Sequence, residues 1–142
     1  MNSSKEILAS LLRTTQMGQA GIRSVLDSAM RPALRQALED QLREYDSIEM
    51  EAYHIASQRG WELPELDPAV RFFADLGTRF RLARGNTDSR IAGIMIQGNT
   101  KGMITELKNA GQLDHSDEPV EILSRKLLDC EKANIRQMQN FL

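Results

Sequence analysis

The sequence predicts an all-α fold, a bundle of four long helices, and three observations carry that expectation. Apolar residues recur at three- and four-residue spacing over stretches of about 20 residues or more, the period of a helix with one buried face. The four prolines fall in connectors or where helices should begin, and runs of β-branched residues are few. The chain of 142 residues, 41% hydrophobic and 27% charged, fits one domain spanning 1–142 with a core of its own.

The first helical stretch starts at Ser3 with Glu6 three residues on, a capping-box pattern. It runs to about Ser28 with Leu8, Leu11, Leu12, Ile22, Val25 and Leu26 on one face. Pro32 suits the first turn of the second helix, which carries Leu34, Leu38, Tyr45, Ile48, Ala52 and Ile55 and stops at Gly60. Residues 61–67 form a connector. Asp67 and Pro68 then open a third, shorter helix with Val70, Phe73, Leu76 and Phe80, ending near Gly85. Asn86, Thr87, Asp88 and Ser89 supply caps for a fourth helix over about 90–110, although one helix continuous with the third is an alternative. Asp114, His115, Ser116 and Asp117 link it to the last helix, which has Pro119 in its first turn. The loops near 29–31 and 111–117 are short, and short loops join antiparallel neighbours. Two such hairpins joined by a long crossover that carries a short extra helix, between the second and third bundle helices, describe the ferritin-like antiparallel four-helix arrangement.

Composition excludes several classes. A net charge of −2 gives no general pull toward nucleic acid or membrane. No apolar run approaches the ~20 residues of a membrane span, and the N-terminus lacks an apolar signal segment. The single cysteine, Cys130, has no intramolecular partner and no Cys-His cluster around it. A reduced, cytoplasmic setting is the expectation. Aromatics make up only 5%, so aliphatics and seven methionines fill the interior.

The informative residues are polar ones at positions that should be apolar. Gln16 and Gln19 on the first helix, Gln41, Glu44 and Tyr45 on the second, Gln97 on the fourth, and Glu131 and Asn134 on the last compose a candidate buried polar layer. Such groups are costly in a core unless hydrogen-bonded or bound to something. Against the stripe of Leu123, Leu127, Met138 and Phe141, Asn134 falls within roughly 20° and Glu131 within roughly 40°. They have the geometry of a Glu-x-x-His metal motif with Asn for His. The second helix offers Glu44 with Ser47 in the His place. Only Glu44 and Glu131 supply inward carboxylates, too little charge for two iron ions, so no cofactor is expected. The literal Glu-x-x-His at Glu51 and His54 lies about 80° and 140° off the stripe and faces solvent.

Gly93, Gly98 and Gly102 lie within ten residues of the fourth helix. Each costs about 1 kcal/mol in propensity, which close approach of a neighbouring backbone would offset; room for a ligand or partner helix is the alternative. Arg71, Arg79, Arg81, Arg84 and Arg90 read as a solvated face, Cys130 as a small core residue, Trp61 as a plug under the crossover and His115 as a solvated loop residue.

Four segments carry a resemblance. They are Met17-Gly18, Gln41-Leu-Arg-Glu44-Tyr45, the Ile94 to Gly102 stretch with its Gln-Gly-x-x-x-Gly, and Leu127 to Ile135. Together they resemble small bacterial ferritin-like proteins similar to spore-coat CotF-like and rubrerythrin-like bundles. The resemblance implies a ferritin-like bundle. It does not bring iron chemistry with it, since Gln, Ser and Asn stand where that family has ligands. The expectation is therefore a non-enzymatic structural or interaction protein, self-associating, with a polar layer in place of a metal site. One alternative is a carboxylate-bridged iron or manganese protein using Glu44, Glu131 and Glu49 or Glu51, with oxidase, peroxidase or iron-handling activity. Another is a binding module at the Gly-rich fourth helix.

Overall fold

The computed structural model describes residues 3–64 and 85–142, and among these every regular element is helical. In chain order they are α1 (Ser4–Val25), a 3-10 turn (Leu26–Ser28), α2 (Pro32–Gln58), α3 (Thr87–Ala110) and α4 (Glu118–Gln139). The expected short helix with Val70, Phe73, Leu76 and Phe80 lies outside the described residues, as do Arg71, Arg79, Arg81 and Arg84.

Each terminus follows from local chemistry. At α1 the Ser3 side chain accepts a hydrogen bond from the Glu6 amide at 3.2 Å, and Glu6 in the first turn and Arg23 in the last complement the helix dipole. Pro32 stands in the first turn of α2. The amides just before it, of Met30 and Arg31, donate to Asp88 at 2.7 and 3.0 Å. Asp88 was expected to cap its own helix; the structure uses it to hold the turn ahead of α2. That helix stops where Gly60 takes φ +64, letting the Trp61 amide reach back to the Ala56 carbonyl at 2.9 Å. Trp61 packs half-buried against the core with the Arg59 guanidinium 4.9 Å above its ring. Gly85 at φ +71 and Asn86 at φ 52 put a left-handed break directly before Thr87. A helix continuous through 85–86 is thereby excluded, and α3 begins three residues earlier than the spacing indicated. Asp117, just before α4, receives both Arg59 guanidinium nitrogens at 2.7 and 2.8 Å. That hydrogen-bonded ion pair holds the Asp117 carboxyl down at about 2.

The four helices pack around one core, broadest between α1 and α2 and between α3 and α4. Leu8, Leu11, Leu38, Ile48, Ile91 and Leu127 are fully buried in it. Ala29, Leu113 and Phe141 join the core from connections and the C-terminal end. Cross-helix bonds fix the register: Gln41 with Gln137 at 2.8 Å, Tyr45 with Asn134 at 3.3 Å, Glu51 with Lys126 at 2.9 Å, and Arg59 with Asp117. Among the described residues no helix is long and apolar enough to cross a membrane.

Candidate functional site

Midway along the bundle, α2, α3 and α4 each aim polar side chains at one point. The Tyr45 hydroxyl lies 2.9 Å from Asn99 Oδ1 and 3.0 Å from Glu131 Oε1, and Asn134 Nδ2 donates to it at 3.3 Å. The Asn99 amide is oriented by its own bond from Nδ2 to the Met95 carbonyl at 2.7 Å, which leaves Oδ1 as an acceptor. All four side chains are buried.

The proton count of this cluster is decisive. A phenol has one proton to give, and two acceptors stand within 3.0 Å of it. If Glu131 is ionised, only one of those contacts is a hydrogen bond. If Glu131 is neutral, its own proton serves the contact to Tyr45 and the phenol proton goes to Asn99, so every contact is made. Electrostatics agree. Burial pushes the Glu131 carboxyl up to about 8, with the nearby Glu106 charge adding and the Tyr45 hydrogen bond opposing. Burial, together with the neighbouring Glu131, likewise raises Tyr45 well above the ordinary phenol range. Cys130, under the same cluster, is raised to about 12 by burial and the charges of Glu44 and Glu131. It is an inert thiol whose Sγ lies 3.6 Å from Asn134 Nδ2.

Two glycines make this arrangement possible. A Cβ on Gly18 of α1 would sit 2.6 Å from Tyr45 Cζ, so the tyrosine ring occupies the place of that side chain. A Cβ on Gly102 of α3 would meet Glu131 Cδ and Oε1 at 3.0 Å and Thr14 Cγ2 at 3.1 Å. One turn beyond Gly102 stands a second buried carboxyl, Glu106, fully enclosed and pushed up to about 7 by desolvation. Ser124 donates to its Oε2 at 3.4 Å, and hydrogen bonding to Asn109 and Thr14 also opposes the shift. Glu106 Oε1 and Glu131 Oε2 have no partner among the described residues.

Above this floor, between α1 and α3, is a cavity of about 340 Å³. Its walls are Met17, Gly21 and Ile22 on one side and Ile94, Met95 and Gly98 on the other. Tyr45, Asn99 and Glu131 line it from below, and the exposed Arg13 and Lys101 border it. That volume lies at the small end of the range for ligand pockets.

The structure sorts the polar residues expected from the sequence. Tyr45, Glu131 and Asn134 come together. Gln19 and Gln41 are buried but bond elsewhere, to Asp46 at 2.9 Å and to Gln137 at 2.8 Å. Gln16 is not in the layer; it is half-buried at the α1–α2 edge, donating to Glu49 at 3.2 Å and Tyr53 at 3.0 Å. Glu44 is exposed, because it stands about 100° round the helix from Tyr45. Gln97 is exposed too; the buried face of α3 runs through Ile91, Met95, Asn99, Gly102, Glu106 and Asn109. Gly93 and Gly98 are not close-packing residues, since a Cβ on either would find nothing within 4 Å. Glu51 and His54 both face solvent, and so does His115, 3.1 Å from Glu121. Asn99, Glu106, Asn109 and Ser124 are buried polar residues that apolar periodicity did not find.

Removing the hub tests the network. Tyr45→Phe deletes the hydroxyl that three buried side chains share and is expected to cost about 2 kcal/mol, read by urea unfolding at pH 7. An unchanged midpoint would mean that the cluster carries no such strength.

Among the described residues no three His, Cys, Asp or Glu side chains stand close enough to hold a metal ion together. No protein-family model matches the chain, and comparison with curated proteins and with solved structures gives no match.

Proposed function

We propose that this protein is a non-enzymatic binding bundle whose cleft between α1 and α3 takes a small, largely apolar molecule. The observation that carries this is the cleft itself, about 340 Å³, walled by apolar side chains and floored by convergent polar groups. Of the alternatives the sequence left open, it favours binding at the Gly-rich helix, because Gly98 fronts open space and not a packed backbone. The floor residues bond one another, and the chain's single thiol is held protonated, which argues for holding a ligand over transforming it. An iron or manganese centre finds less support, because Glu44 is exposed and does not join Glu131 in the layer.

The proposal includes the ferritin-like helix order. What supports it is the pairing of residues across helices. Gln41 meets Gln137 and Arg59 meets Asp117, so α2 and α4 run in opposite directions. Met30 and Arg31 meet Asp88, so α2 and α3 begin at the same end, which puts the end of α2 and the start of α3 at opposite ends of the bundle. The motifs resembling bacterial spore-coat-like and rubrerythrin-like bundles agree with that order. Self-association and a cytoplasmic setting are parts of the same proposal, and light scattering decides the first.

The neutral fluorophore N-phenyl-1-naphthylamine tests the cleft. It is expected to bind the native protein saturably, and Gly98→Leu, which fills the cleft from a position with free space, to weaken binding at least about tenfold with helicity unchanged. Equal binding by both proteins would overturn the reading.

A further inference from the structure

The cleft is polar at one end and apolar at the other. On α1 and α3 the residues pair in opposite order: Asn109 bonds Ser10 at 3.0 Å, and Thr14 lies against Gly102. Arg13 and Lys101, each one residue before that second pair, are offset in opposite directions along the antiparallel helices and so stand on opposite walls within about one helical turn of each other, and both are exposed. Further along, Ile22 on α1 and Ile94 and Met95 on α3 close the other end with apolar surface. Glu131 is the one acid among the described lining residues. It faces Tyr45 from α2 and Glu106 from α3, and with its proton in place it repels no anion. An organic cation would meet two like charges at the rim and no ionised partner below.

Resting on the cleft reading above, we infer that its ligand is an amphiphile with a single anionic head, a medium-chain carboxylate. The head lies between Arg13 and Lys101, and the tail runs under Met17 toward Ile22, Ile94 and Met95. At about 30 Å³ for each water-sized group, the volume suits a chain of roughly ten carbons.

The test is calorimetric titration at pH 7 with decanoate, decanol and decyltrimethylammonium. Wild-type protein is expected to bind decanoate about tenfold more tightly than decanol, and the ammonium ion least well. The double variant Arg13→Glu, Lys101→Glu, at two exposed positions, is expected to lose that preference while still binding N-phenyl-1-naphthylamine as the wild type does. Equal affinity for decanoate and decanol, or a preference that survives in the double variant, overturns the head-group assignment and leaves the cleft standing. Failure of the neutral fluorophore to bind the wild type would remove the cleft reading itself.

Discussion

Between pH 5 and pH 9 the bundle is expected to lose several kcal/mol of folding stability, and Glu131→Gln to remove most of that loss. The carboxyl of Glu131 is raised from 4.5 to about 8 in the folded protein, chiefly by burial. A folded-state value above the unfolded one means that the native protein holds the proton more tightly. The contribution is full below about 4.5 and is lost as pH rises through about 8. At about 1.4 kcal/mol per unit, the loss amounts to at most about 5 kcal/mol. Glu106, raised to about 7 by desolvation, adds a smaller loss over an overlapping range. The two are not additive, because each carboxylate opposes ionisation of the other. A glutamine at 131 keeps a donor for Tyr45 without a proton to lose, so the variant's stability should vary little above pH 5 beyond the share due to Glu106. Urea unfolding at pH 5, 7 and 9 measures this. A flat wild-type profile, or the same slope in Glu131→Gln, would mean that Glu131 is ionised in its site.

Gly18→Ala is expected to destabilise the protein by about 1–2 kcal/mol, whereas Gly93→Ala and Gly98→Ala stabilise it by about 0.5–1 kcal/mol. All three substitutions gain the same helix propensity, so the sign is set by surroundings alone. A Cβ at 18 lands 2.6 Å from Tyr45 Cζ. That ring cannot swing away cheaply, because its hydroxyl is tied to Asn99, Glu131 and Asn134. At 93 and 98 a methyl group meets nothing within 4 Å. Thermal unfolding of the three variants is the check. A stabilised Gly18→Ala would show that the tyrosine ring sits elsewhere.

Much of the architecture was legible because three helices have one clear apolar stripe. On α4, Leu123, Leu127 and Met138 fix the phase so well that Glu131 and Asn134 could be placed inward by angle alone. Tyr45 and Gln41 follow in the same way from Leu38, Ile48 and Ala52. Glu44 shows the limit of that method. It adjoins a buried residue in sequence, yet one step of about 100° turns it to solvent. The phase of α3 was hidden for a different reason. Ile94, Met95 and Ile96 are consecutive apolar residues with no period, and the true face contains Asn99, Gly102, Glu106 and Asn109, which a search for apolar side chains passes over. The signal was their four- and three-residue spacing from Ile91. The cleft itself had no sequence signature. Gly98, which lines it, is an exposed position where a Cβ would meet nothing within 4 Å.

Methyl chemical shifts followed during titration with decanol test the central claim most directly. If the cleft between α1 and α3 is the binding site, saturable shifts will be confined to Met17, Ile22, Ile94 and Met95, which wall it. The exposed Met30 and Met50 will stay unmoved. Shifts absent from the four wall residues, or spread equally over the exposed methionines, would contradict the account.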